Sequence, residues 1–142
     1  MAAKSRHAKE VFVSHASGDR EFVQRLIRVF KKNKVRYWYS ERHIPGATEW
    51  HDEIGRALDR CDWFVIVLSP KSVKSVWVKR ELLYALRQNS YRGRVVPIVI
   101  RNCKYDQLSW TLADIEMIDF RRGFEAGYKS LLSTLGFGIK SA

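Results

Sequence analysis

The chain has 142 residues, 46% of them apolar and 29% charged, with a formal net charge of +11; this describes one globular domain and excludes a disordered polymer. The longest apolar run, Trp63–Leu68, is too short to span a bilayer, and the N-terminal MAAKSRHAK lacks the apolar stretch of a secretory signal. Cys61 and Cys103 have no metal-ligand spacing and read as reduced thiols of a cytoplasmic protein.

Residues 10–14, EVFVS, predict a short strand covered on both faces. Ser17 is expected to cap a helix that carries Asp19 and Glu21 in its first turn, where carboxylates favour the positive helix end. Phe22, Leu26, Val29 and Phe30 recur at helical spacing and mark its buried stripe. Its other face is basic: Arg25, Arg28, Lys31 and Lys32, followed by Lys34 and Arg36, form a cluster that reads as a solvated face, a docking surface for an acidic protein or a polyanion site. No aromatic residues interleave with it as they do in single-strand binders, so nucleic acid is the least favoured partner.

Residues 35–39, VRYWY, predict a second strand, and Pro45-Gly46 places residues 40–48 in a loop. Thr48 opens a helix with Trp50, Ile54, Ala57 and Leu58 on one side. The run Trp63–Leu68, WFVIVL, has the pattern of a buried parallel strand. A polar loop follows, and Ser75 caps a helix whose stripe is Val78, Leu82, Ala85 and Leu86. Residues 95–100 form a fourth strand, with Pro97 incompletely paired, and residues 116–120 a weaker fifth. Phe124, Tyr128, Leu131, Leu132 and Leu135 mark a last helix stopped at Gly136. Residues 101–115 carry no clear pattern.

Alternating strands and helices predict an α/β fold with a five-stranded parallel sheet and helices on both faces. Ligands of such sheets bind outside the carboxyl ends of the strands, near the point where strand order reverses. Three loops lie there: residues 14–19, 40–48 and 69–75. The third leads into SVWVKREL, where Trp77 and Glu81 are four residues apart and share a helix face. From the residues alone, Glu81 is either an ion-pair partner of Arg80 or Lys74 or a group that holds a ligand. Trp77 and Trp50 also serve packing, and His15 also fits a turn. No acid pair ends the first strand, as a phosphoacceptor domain requires, and no GxGxxG or P-loop is present. The four histidines show no ligand spacing, so no metal is expected.

Four pieces together, VFVSHASGD, RHIPGATEW, WFVIVLSPKSVKS and VWVKREL, resemble a bacterial-type Toll/interleukin-1 receptor (TIR) domain over about residues 9–136 of a single domain spanning 1–142. Ser75, Trp77, Glu81 and Leu82 match the family pattern Ser-x-Trp-x-x-x-Glu-Leu. The resemblance implies a flavodoxin-like sheet and one of two functions: NAD+ cleavage at the nicotinamide–ribose bond, or non-catalytic TIR–TIR assembly. In the cleaving branch Glu81 takes the catalytic position. Trp77 lies on the nicotinamide side, Ser14, His15 and Ala16 line the crevice, and Ile44, Pro45 and Gly46 form a lid with Trp50 behind it.

NAD+ would be the substrate, and no cofactor is expected. The resemblance further implies self-association, a fused or separate sensor domain, and a bacterial antiviral or stress response. Two departures stand out. Val78 replaces a cysteine carried by many cleaving members, and Ser40-Glu41 replaces an aspartate after the second strand.

Overall fold

The computed structural model describes residues 7–40 and 48–138, the side chains of residues 48–50 excepted. Five strands, β1 (Val11–Ser14), β2 (Tyr37–Tyr39), β3 (Trp63–Leu68), β4 (Val95–Val99) and β5 (Ile118–Asp119), form one parallel sheet in the order β2-β1-β3-β4-β5. Three α-helices connect β1 to β4 in turn, α1 (Arg20–Lys32), α2 (Thr48–Arg60) and α3 (Val76–Arg87); short 3-10 turns join β4 to β5, and α4 (Phe124–Thr134) follows β5. This is the flavodoxin-like α/β architecture expected from the sequence.

The two sides of the sheet bury two separate cores. Val11, Val13, Val65, Val67, Val96 and Ile98 face one side and pack on Leu26, Phe30, Leu131 and Leu132 of α1 and α4. Phe12, Phe64, Ile66 and Leu68 face the other and pack on Ile54, Ala57 and Leu58 of α2 and Val78, Leu82 and Ala85 of α3. Adjacent residues of one strand thus feed opposite cores, which is why the central strands read as unbroken apolar runs.

Several boundaries differ from the sequence expectation for identifiable reasons. Ser17 makes no capping bond: Ser17–Asp19 is one 3-10 turn, and Asp19 occupies the N-cap of α1. The helix ends in a Schellman motif (Val35 N–H to Phe30 O, 2.8 Å; Lys34 N–H to Lys31 O, 3.2 Å) with Lys34 at φ 61°. That turn buries Val35 and shortens the second strand to Tyr37–Tyr39. The fifth strand shrinks to Ile118–Asp119 and pairs only with Ile98 and Val99, so Pro97 has a ladder partner, Ile66, on the β3 side alone. Residues 101–115 hold two 3-10 turns, Tyr105–Gln107 and Trp110–Asp114, too short for a periodic signature.

On the solvent face of α1, Arg25, Arg28, Lys31 and Lys32 are exposed, and the Arg25 guanidinium lies 4.0 Å from the Phe124 ring centroid. No helix among the described residues is long and apolar enough to cross a membrane. Cys61 and Cys103 are free thiols.

Candidate active site

The chain runs from β1 to β2 on one side and later to β3 on the other, so strand order reverses between β1 and β3. Ser14 ends β1 at that point, and two neighbouring segments reach it from β3. The first is the turn after β3. Ser69 N–H donates to Ser72 Oγ (2.9 Å), Ser72 N–H donates to Ser69 Oγ (3.1 Å), and Ser72 Oγ donates to Ser69 O (3.1 Å). Ser69 Oγ in turn donates to Asp19 Oδ2 at 2.5 Å, tying this turn to the one after β1. Burial raises the Asp19 carboxyl above its ordinary value, against the opposing effects of Ser69, Lys71 and Arg101. A Cβ at Gly18 would lie 2.3 Å from Lys71 Cδ, a contact that the flexible end of that exposed lysine side chain relieves by moving aside.

The second segment is the start of α3. Ser75 caps the helix, its Oγ accepting from Val78 N–H at 3.2 Å. That cap fixes the rotation of the first two turns, with Val78 and Leu82 in the core and Trp77, Arg80, Glu81 and Tyr84 on the side towards α2. Glu81 is only 7% exposed. It forms no ion pair with Arg80 or Lys74, the partners suggested by sequence proximity. Instead Ser14 Oγ donates to Glu81 Oε1 at 2.7 Å, a bond between residues 67 positions apart. Burial pushes the Glu81 carboxyl up to about 7, and the Ser14 hydroxyl acts in the opposite sense.

A cleft of about 590 Å³ opens between α2 and α3, a size ordinary for a small-molecule site. His51, Asp52, Gly55, Arg56 and Asp59 line its α2 wall; Trp77, Arg80, Glu81 and Tyr84 line its α3 wall. Tyr84 Oη donates to Asp59 Oδ1 at 3.0 Å and closes one end. Trp77, 38% exposed, stands at the other, its ring 6.3 Å from that of His51 and 5.5 Å from the Arg80 guanidinium.

Of the residues singled out from the sequence, Glu81 and Trp77 line this cleft, and buried Ser14 adjoins it through its bond to Glu81. Ala16 is buried in the turn after β1, and His15 is half-buried with its ring 5.9 Å from that of Tyr39. Ile44, Pro45 and Gly46 lie outside the described residues, as does the Trp50 side chain. The α2 wall and Tyr84 escaped the sequence reading. The recurrence of His51, Gly55 and Asp59 at intervals of four was the available signal, masked by the apolar stripe of the same helix. Among the described residues no group of three or more His, Cys, Asp or Glu side chains gathers to hold a metal ion.

A family model described as TIR domain matches residues 11–132. The chain belongs to the TIR domain family. A 2' cyclic ADP-D-ribose synthase of Bacteroides thetaiotaomicron, BtTIR, is 28% identical over 92 residues, which make up 63% of this TIR chain and 32% of that protein. A probable 2' cyclic ADP-D-ribose synthase of Methanobrevibacter olleyae, TcpO, is 28% identical over 81 residues, 55% of this chain and 24% of the relative. The matches thus span a third or less of the relatives' length. The TIR domain of the Toll-related receptor TRR-2 from Hydra magnipapillata superposes with a TM-score of 0.71 at 20% identity, covering 88% of this chain and 96% of that one. That likeness establishes the TIR fold.

Proposed function

We propose that this TIR domain cleaves NAD+ at the nicotinamide–ribose bond, with Glu81 as the catalytic carboxylate. One observation carries the reading: a buried glutamate, held by Ser14, lines a ligand-sized cleft at the reversal point of the sheet with an indole at the rim. The names of the two curated relatives support the same chemistry.

In the reaction the C1′–N bond breaks and its electron pair leaves with nicotinamide, whose ring nitrogen changes from cationic to neutral. Positive charge develops on the ribose, as in glycoside hydrolysis. An ionised Glu81 in a low-dielectric site stabilises that charge more strongly than water does. Because nicotinamide departs neutral, no second carboxyl is needed to protonate it. The ribosyl cation is then captured by an oxygen nucleophile: water gives ADP-ribose, and a hydroxyl of the same molecule gives a cyclic product. Glu81 accepts the proton that this oxygen loses. Trp77 offers a π-face for the nicotinamide ring.

Self-association through TIR–TIR contacts is part of the proposal. Val76 and Trp110, 60% and 76% exposed, are large apolar side chains facing solvent. Lys79 Nζ, donating to Gln107 O at 3.5 Å, joins α3 to the segment that carries Trp110. The same apolar exposure favours the second reading, a TIR that only assembles. The proposed setting is a cytoplasmic bacterial antiviral or stress response, with a sensor domain fused or separate.

Incubation with NAD+ under crowding that promotes assembly, with nicotinamide followed by chromatography, separates the two readings. Release by the native chain and its loss in Glu81→Ala supports the enzyme. Absence of release from both supports the assembly module.

A further inference from the structure

We infer that Arg80 and Arg56 form a two-armed clamp for the pyrophosphate of a dinucleotide, so that the cleft selects phosphate-bearing substrates over the nicotinamide riboside they contain. The inference rests on the catalytic reading above and assigns the part of the cleft that the chemistry at Glu81 leaves unused.

The two arginines come from opposite walls, Arg56 from α2 and Arg80 from α3, and both line the cleft. Their side chains are exposed to solvent, and neither forms a salt bridge with another described residue. Elsewhere among the described residues, guanidiniums near acids are engaged: Arg60 and Arg36 with Glu10, and Arg121 with Asp119. The Arg80 guanidinium sits 5.5 Å from the Trp77 ring centroid, a cation–π contact at the rim of the cleft. Gly55 precedes Arg56, and a Cβ there would meet nothing within 4 Å. The α2 wall therefore recedes beside the arginine and leaves room for a bulky group.

Geometry along α3 sets the order of subsites. Arg80 lies three residues after Trp77 and one before Glu81, about 4.5 Å and 1.5 Å along the helix axis. With nicotinamide against Trp77 and the ribose beside Glu81, a long flexible side chain rooted between them reaches the group attached to the ribose 5′ carbon. In NAD+ that group is a pyrophosphate with two negative charges. A guanidinium matches phosphate oxygens in bidentate fashion, and a pair of them on facing helices brackets a diphosphate.

The test compares NAD+ with nicotinamide riboside, and adds ADP-ribose binding by titration calorimetry. For Arg80→Ala and Arg56→Ala, kcat/KM on NAD+ is expected to fall at least tenfold more than on the riboside, chiefly through KM. ADP-ribose affinity is expected to weaken about 10- to 100-fold. Arg28→Ala, an equal charge loss on the opposite face of the sheet, is the control and is expected to leave both unchanged. Arg80→Lys is expected to restore only part of the affinity. Equal losses on NAD+ and riboside, or ADP-ribose binding unaltered in both alanine variants, would overturn the clamp. If the native chain releases no nicotinamide but binds ADP-ribose in an arginine-dependent way, the clamp stands and the catalytic reading fails.

Discussion

Replacing Glu81 by Gln should stabilise this protein in mildly alkaline solution and not in acid. The Glu81 carboxyl is raised from 4.5 to about 7, chiefly by burial. Between those values the folded chain holds a proton that the unfolded chain has released, so folding stability falls as pH rises through that window. The gap of about 2.5 pH units, at 1.36 kcal/mol per unit, corresponds to about 3 kcal/mol. That penalty is absent below pH 4.5 and fully present above pH 7. Glutamine keeps the shape of the side chain and can still accept the Ser14 hydroxyl, but carries no charge to desolvate. Any cost of burying its NH₂ applies equally at both pH values and drops out of the comparison. Urea unfolding of both proteins at pH 4 and pH 8, followed by tryptophan fluorescence, measures the effect. The stability difference, variant minus native, should be about 3 kcal/mol larger at pH 8. A difference that is the same at both pH values, or larger at pH 4, would refute the claim that a buried, reluctantly ionised carboxyl sits at the end of β1.

Other substitutions probe the same frame. Ser14→Ala removes a hydrogen bond that favours the Glu81 carboxylate. The acid limb of kcat/KM, expected near pH 7 because the ionised form is active, should therefore move to higher pH; an unmoved limb would show that Ser14 does not tune Glu81. Trp77→Ala should raise KM for NAD+ about tenfold while changing stability by less than about 1 kcal/mol, since the ring is partly exposed. A loss of several kcal/mol in unfolding experiments would make it a packing residue instead. Gly127→Ala would place a Cβ 2.5 Å from the ring of buried Phe120, itself in edge contact with Phe22, and should destabilise the fold by about 1–3 kcal/mol in urea unfolding.

How far the sequence spoke for the structure depended on whether a feature was local. The strand Trp63–Leu68 was legible to the residue, because burial on both faces leaves six consecutive apolar side chains. Ser75 was legible as a cap because its partner, Val78 N–H, lies three residues away. Trp77 and Glu81 were legible as one surface from helical spacing alone. Ser17 misled because a serine two residues before an acid carries a generic cap signal. What settles that turn is Ser69, 50 positions beyond Asp19 in the chain, which engages the aspartate carboxyl. The state of Glu81 was hidden for the same reason: nearby Arg80 and Lys74 suggested an ion pair, while the true partner, Ser14, is brought in by the sheet. The α2 wall was hidden differently, since Arg56 and Asp59 look like any solvated helix face until a second helix stands opposite.

The most direct measurement is nicotinamide release from NAD+ by native protein and by Glu81→Gln at pH 8, normalised to the folded fraction of each. Release by the native chain, with at least a thousandfold loss in a variant that folds as well or better, is the expected result for loss of a group that stabilises the transition-state charge. A folded Glu81→Gln protein that releases nicotinamide at the native rate would contradict it.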